Sequence, residues 1–379
     1  MKLLHVITTL DVGGAEMHLL AQVRGQTARG SAVRVAWLKG AGTLADDFRA
    51  AGAEWVGRVG SGLGLPLRLR RHVAWCDLVH SHLLKADMAT ALVATLMGRR
   101  DRLLSGKHND EQVLRRPLVS FVHGLVGNLP ARTIVLSDHV GRFIERHGRV
   151  KADRLTRVYY GIDPAPFERA AEALPAERAA LRAELGFGAD DVVLVCVARF
   201  AAQKAHDVLL RAFANARERT EGGTVLRLLL VGDDPFGDGR VKAEAVAREL
   251  GLLAGNAVRF AGIRRDVPAL LAATDVFVMS SLWEGLGLVF LEAMATGLPI
   301  LSTNVSAIPE VVVDGVTGVL VPPADDEALA EGMLALAGDA ETRARMGAAG
   351  RARVREVFAV DRMVEETLAI YEEVLAAAR

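Results

Sequence analysis

Val192-Val193-Leu194-Val195-Cys196-Val197-Ala198, followed by Arg199-Phe200-Ala201-Ala202-Gln203-Lys204, is the stretch that decides how this chain folds. The seven consecutive apolar residues read as a buried strand. Arg199 then stands at the strand's carboxyl end, the edge at which open parallel sheets bind ligands. Lys204 falls in or near the first turn of the next helix, where a cation opposes the helix dipole and calls for a compensating anion. Two cations five residues apart at such an edge suit a diphosphate; the plainer alternative is a pair of surface cations. Only seven of the 46 cationic residues are lysines, which adds weight to Lys204.

Outward from this strand the same rhythm continues in both directions. Short apolar strands are expected at Leu3–Thr8, Val33–Trp37, Leu78–Ser81, Arg102–Ser105 and Thr133–Leu136, with helices between most of them. A second series is expected at Val192–Ala198, Leu226–Val231, Val258–Ala261, Val276–Ser280, Ile300–Thr303 and Val319–Val321. Strands alternating with helices argue for an α/β protein with parallel sheets covered on both faces. The break falls near Tyr160–Leu185, where Gly161-Ile162-Asp163-Pro164-Ala165-Pro166 is turn chemistry. Two doubly wound domains are therefore expected, over residues 1–165 and 166–359. Met363, Leu368, Tyr371 and Leu375 recur at roughly helical spacing, so residues 360–379 read as an amphipathic helix packing back on the first domain.

The composition fits this picture: 379 residues, 51% apolar, 24% charged and only 5% aromatic. A carbohydrate-binding module built on aromatic platforms would carry more. The net charge of zero hides an asymmetry, because residues 1–165 hold 24 Lys and Arg against 14 Asp and Glu, and the remainder 22 against 32. A basic front half points to an anionic substrate or a membrane surface, or else to a generic Arg-rich surface. Cys76 and Cys196 imply no disulfide framework and fit a reducing cytoplasm. The first residues are too short and too soon polar for a signal peptide, and no apolar run reaches the ~18 residues of a membrane span. A cytoplasmic protein is expected, with any membrane contact peripheral.

Three further motifs lie at strand ends. Val12-Gly13-Gly14-Ala15-Glu16 follows the first strand and precedes a helix, so its glycines let backbone amides approach an anion; a tight strand–helix turn is the alternative. Glu284-Gly285-Leu286-Gly287-Leu288-Val289-Phe290-Leu291-Glu292 follows strand Val276–Ser280, and a helix is expected to begin near Leu288. The amides over Gly285, Leu286, Gly287, Leu288 and Val289 suit phosphate oxygens. Glu284 suits the hydroxyls of a sugar ring and Glu292 those of a ribose, since one carboxylate can hold two vicinal hydroxyls. His108, after Arg102–Ser105, can donate to a substrate hydroxyl, with His82 a weaker candidate. Asp233, Asp234 and Asp238 read as turn residues rather than metal ligands. No nucleophile elbow with a Ser-His-Asp set is present.

These residues resemble glycosyltransferase family 4, with the GT-B architecture of two Rossmann-like domains facing each other across a cleft. The resemblance runs over nearly the full length. Glu284 and Glu292 match the family's paired glutamates, Arg199 and Lys204 its diphosphate-binding pair, and Gly13-Gly14-Ala15-Glu16 its N-terminal glycine loop. Phe260-Ala261-Gly262-Ile263-Arg264 matches a stretch facing the nucleotide base. Ile308-Pro309-Glu310 and Gly315-Val316-Thr317-Gly318 match turns after the sixth strand of the second domain. The resemblance implies a retaining, metal-independent enzyme that moves a sugar from a nucleotide-diphosphate sugar to a saccharide or glycolipid acceptor. It implies no cofactor, no nucleic-acid partner, and a contact between His108 and the donor sugar.

Three positions depart from the family pattern: Tyr160-Gly161 replaces the frequent Asn-Gly, Ala307 a glycine before Ile-Pro-Glu, and Ala205 the glycine after Lys204. The run Leu114-Arg115-Arg116-Pro117-Leu118-Val119-Ser120-Phe121-Val122-His123-Gly124-Leu125 reads as an interfacial helix, or else as a buried core helix with a charged start. Peripheral contact with an anionic membrane, in lipid-linked or lipopolysaccharide-type glycan assembly, is one expectation. A nucleotide-sugar epimerase and a non-catalytic nucleotide-sugar-binding protein are the competing readings.

Overall fold

The computed structural model describes residues 1–378 except 63, 174, 221, 222, 235 and 236. The chain forms two compact units, Met1–Ile162 with Phe358–Arg379, and Asp163–Val357.

The first unit is built on β1 (Lys2–Ile7), β2 (Ala32–Trp37), β3 (Trp55–Arg58), β4 (Leu78–His82), β5 (Leu103–Lys107), β6 (Arg132–Val135) and β7 (Leu155–Arg157). They pair in parallel in the order β3-β2-β1-β4-β5-β6-β7. The expected strands are all present with ends displaced by a residue or two. β3 and β7 were not expected. Both lie at sheet edges, where one flank needs no partner, and Trp-Val-Gly-Arg and Leu-Thr-Arg lack the apolar run of a central strand.

The second unit holds β8 (Val192–Val197), β9 (Leu226–Val231), β10 (Val258–Gly262), β11 (Val276–Met279), β12 (Ile300–Thr303) and β13 (Gly318–Val321), parallel in the order β10-β9-β8-β11-β12-β13. Each sheet reverses its winding once, between β1 and β4 and between β8 and β11. Such a switch point leaves a crevice at the carboxyl ends of the strands, where doubly wound folds bind ligands.

Helix Val360–Ala377 completes the core of the first unit. Met363, Val364, Ile370, Tyr371 and Val374 join Leu3, Ile7, Leu19, Leu20 and Val23 in one buried cluster. Gln22 Nε2 donates to Thr367 Oγ1 at 2.9 Å across this seam. No helix among the described residues is long and apolar enough to cross a membrane. Burial pushes both thiols, Cys76 and Cys196, up to about 12, so neither is poised as a nucleophile.

Candidate active site

At the switch point of the second sheet, two residues past β8, stands Arg199, which is exposed and makes no hydrogen bond or ion pair with a described residue. Lys204 sits in a single 3-10 turn, Ala202–Lys204, and so precedes helix His206–Arg219 rather than opening it. Its charge is met by a residue the sequence reading had assigned separately: Lys204 Nζ donates to Glu284 Oε1, with both side chains nearly buried. The local need for an anion is thus satisfied across 80 residues of chain.

Several bonds lock this pair in place. Ser281 Oγ donates to Glu284 Oε1 at 2.6 Å, and Ser280 Oγ to the carbonyls of Lys204 and Ala205 at 2.8 and 2.9 Å. Gln203 Nε2 donates to the Trp283 carbonyl at 2.6 Å, while the Leu282 amide donates to the Gln203 carbonyl at 2.8 Å. The loops after β8 and β11 are therefore tied together. Ala205, where the family has glycine, adopts φ 46°, a left-handed conformation that strains a residue carrying a Cβ.

Past Glu284, the buried Gly285 and Leu286 lead to Gly287, whose φ of 81° turns the chain into helix Leu288–Thr296. The helix starts where expected. Its first amides, at Leu288 and Val289, have no intrahelical acceptor, and such a helix start favours an anion. Glu292 lies one turn in and is half-buried, not an exposed helix-start acid; burial pushes its carboxyl up to about 7.

Ile263, in the loop after β10, is 71% exposed. Phe260 beside it stacks on Phe200, 6.0 Å between centroids. Ile308-Pro309-Glu310 forms a short helix after β12, the fifth strand of this unit, and Gly315-Val316-Thr317-Gly318 leads into the sixth, one strand earlier than expected. Asp234 accepts from the amides of Gly237, Gly239 and Arg240, and Asp238 pairs with Lys242, so these acids are turn and capping residues. Pro235 of the expected turn lies outside the described residues.

In the first unit, Gly13 caps helix Gly14–Ala28, and Glu16 in its first turn accepts from Thr9 Oγ1 at 2.6 Å. His108 lies just past β5 and is buried, with both ring nitrogens engaged: Nε2 is 3.0 Å from His82 Nδ1, and Nδ1 is 2.5 Å from the Tyr160 hydroxyl. This is the Tyr160 that replaces the family's asparagine, and its ring stacks on His18 at 3.9 Å. The chain of imidazoles continues from His82 Nε2 to His5 Nδ1 at 3.0 Å and from His5 Nε2 to Gln26 Oε1 at 2.9 Å. Burial holds these rings neutral, pushing His5 down to about 4, His108 to about 3, and His18, His80 and His82 well below the usual value.

Sequence reading selected two of these five histidines. The others stand at positions 5, 18 and 80 with no shared local spacing; only the alternation of His80 and His82 on β4 hinted at a common face. Also missed was a buried ion pair between Lys107 and Asp87 at 2.5 Å, to which Ser81 Oγ adds a bond of 2.6 Å.

The family described as Glycosyltransferase Family 4 matches residues 12–166, and the one described as Glycosyl transferases group 1 matches residues 177–353. The chain belongs to these group 1 and family 4 glycosyltransferases. Among its relatives, the D-inositol 3-phosphate glycosyltransferase of Saccharomonospora viridis is 35% identical over 240 residues, 61% of this chain and 55% of that protein. The N-acetyl-alpha-D-glucosaminyl L-malate synthase of Bacillus anthracis is 27% identical over 301 residues, 79% and 75% of the two chains. The alignment thus spans about half the length of the first relative. The fold is that of Alr3699/HepE from Anabaena, solved in complex with UDP-glucose: TM-score 0.85, 24% identity, 100% of each chain covered.

Proposed function

We propose that this chain transfers a sugar from a nucleoside-diphosphate sugar, held by the second unit, to a saccharide or glycolipid acceptor taken by the first. We further propose retention of the anomeric configuration and no divalent ion at the diphosphate. The observation that carries the reading is the convergence of Arg199, the Lys204–Glu284 pair and the start of helix Leu288–Thr296 at one switch point.

Arg199, Lys204 and the amides at Gly287, Leu288 and Val289 take the diphosphate and stabilise the charge that grows on it as the sugar–phosphate bond breaks. That is the task a divalent ion performs elsewhere. Glu284 accepts from sugar hydroxyls while its bond to Lys204 couples sugar and phosphate recognition. Glu292 accepts from the ribose diol, and Ile263 lies toward the base. The acceptor hydroxyl attacks the anomeric carbon from the face the diphosphate leaves, and its proton passes to the departing phosphate oxygen. Gly13, Gly14 and Glu16 form the corresponding edge of the first unit, with His108 nearby. Relatives named for an inositol phosphate acceptor and the basic excess of residues 1–165 both favour an anionic acceptor.

Helix Pro117–Gly127 supports peripheral association with the inner face of the cytoplasmic membrane. It is inverted: Ser120 and His123 are buried, whereas Leu118 and Leu125 are 75% and 62% exposed and Phe121 is exposed beside them. Helix Leu84–Leu96 packs against it and exposes Met88, Leu92 and Leu96. Lys85 on the second of these helices, and Arg115 and Arg116 just before the first, are exposed, a pattern that suits anionic lipid.

The test is a thermal-shift screen against UDP-, GDP-, ADP- and CMP-sugars, followed by transfer assays with the donor that stabilises the protein. One donor class should raise the melting temperature, and Glu284→Ala should abolish transfer with the fold retained. Stabilisation by none of them would refute the reading; interconversion of the donor sugar without acceptor would replace it with an epimerase.

A further inference from the structure

We propose that the first unit holds one transition-metal ion of the zinc class among His5, His80 and His82. The three residues come from neighbouring strands: His5 on β1 pairs in register with His80 on β4, and His82 follows two residues on, so the alternation of the strand puts all three on one face. One ring nitrogen from each lies within 4.8 Å of the other two, and all three residues are buried. His5 Nδ1 and His82 Nε2 are already 3.0 Å apart, close to the separation of neighbouring ligands about a tetrahedral ion with bonds of about 2.0–2.1 Å.

The far nitrogen of every ring is anchored. His5 Nε2 meets Gln26 Oε1 at 2.9 Å; this oxygen only accepts, so His5 carries its proton on Nε2 and turns the Nδ1 lone pair toward His82. His80 Nδ1 meets the Tyr371 hydroxyl at 2.6 Å, which leaves Nε2 enclosed and bonded to nothing in the described structure. His82 Nδ1 meets His108 Nε2 at 3.0 Å, and His108 Nδ1 meets the Tyr160 hydroxyl. Such outer bonds are what orient imidazole ligands on a metal. Occupancy needs no net proton loss: His82 moves its proton from Nε2 to Nδ1, His108 moves its own from Nε2 to Nδ1, and the Tyr160 hydroxyl turns to accept.

Space for a water lies beside His80, one of the three ligands. His18 Nδ1 and Gln22 Oε1 are also buried without partners, and with His80 they line a cavity of about 10 Å3, room for a single water. The floor of this space is Gly106, at which a Cβ would lie 2.9, 3.0 and 3.1 Å from nitrogens of His82, His80 and His108. The nearest cation, Lys107, is neutralised by Asp87. The proposal rests on no part of the transfer reading, and its ion is distinct from one bridging a diphosphate.

The experiment uses untagged full-length protein expressed with added zinc, dialysed and analysed for metal, with cobalt substitution read by visible absorption. About one equivalent per chain and tetrahedral cobalt bands are expected, both lost in His80→Gln and kept in His147→Gln. Less than about a tenth of an equivalent in the unaltered chain, or full metal content in His80→Gln, would overturn the proposal. Should His80→Gln fail to fold, anomalous scattering at the zinc edge in the unaltered chain decides: a peak among the three imidazoles supports the site, and its absence refutes it.

Discussion

Replacing Glu292 by Gln removes one ionisable group and keeps its shape, which turns the burial of this side chain into a measurable quantity. The carboxyl is raised from 4.5 to about 7 by desolvation. A folded state that binds the proton more tightly than the unfolded chain is favoured at low pH. That advantage is fully present below about pH 4.5 and disappears as pH rises to about 7. The shift corresponds to about 3 kcal/mol at most, taking roughly 1.4 kcal/mol per unit. The unaltered protein should therefore lose stability relative to Glu292→Gln across that window and run parallel to it above. Urea unfolding of the two proteins in matched buffers gives this difference curve directly. Nucleotide binding adds a second reading, because the ribose hydroxyls need an ionised acceptor: stabilisation by the donor nucleotide should grow from about pH 6 to 8 and be weak throughout in the Gln variant. A difference curve that is flat across the window would show an ordinary surface carboxylate and refute the argument.

Lys204→Ala leaves the nearly buried Glu284 without its cation and should destabilise the second unit by about 3 kcal/mol. The double substitution with Glu284→Gln should recover most of this in urea unfolding while transfer stays abolished. Ala205→Gly relieves a left-handed residue but raises the chain entropy of the unfolded state, for a net gain of about 0.5 kcal/mol seen as a higher melting temperature. Leu118→Asp with Phe121→Asp should reduce co-sedimentation with anionic vesicles by about tenfold at low salt, with stability changed by no more than about 0.5 kcal/mol. Unchanged co-sedimentation would remove the membrane from the proposal.

The central strands were readable because burial on both faces demands an uninterrupted apolar run, which Val192–Val197 and Leu226–Val231 display. β3 and β7 face no such demand and left no signal. Gly287 was readable for a related reason, since a turn from strand to helix needs a backbone that tolerates positive φ. The Lys204–Glu284 pair was legible as two residues but not as a bond, because the chain between positions 80 apart carries no record of which loops meet. Helix Pro117–Gly127 shows the same limit: periodicity separates its polar and apolar faces, but it is bonds to Lys107, Gly148 and Arg149 that fix the polar one inward. The histidine cluster is the extreme case, a property of neighbouring strands, a loop and a helix rather than of any segment.

The last 22 residues belong to the core of the unit that begins the chain. Tyr371 is fully buried and holds His80, and Met363 and Val364 pack beneath helix Gly14–Ala28. During synthesis the first sheet must therefore wait, its seam open, until all of Asp163–Val357 has left the ribosome. The unit made second can close first, and the unit made first can close only last. Emergence of residues 358–379 thus becomes the step that completes the fold, and a chain interrupted before them has one finished unit and one exposed core.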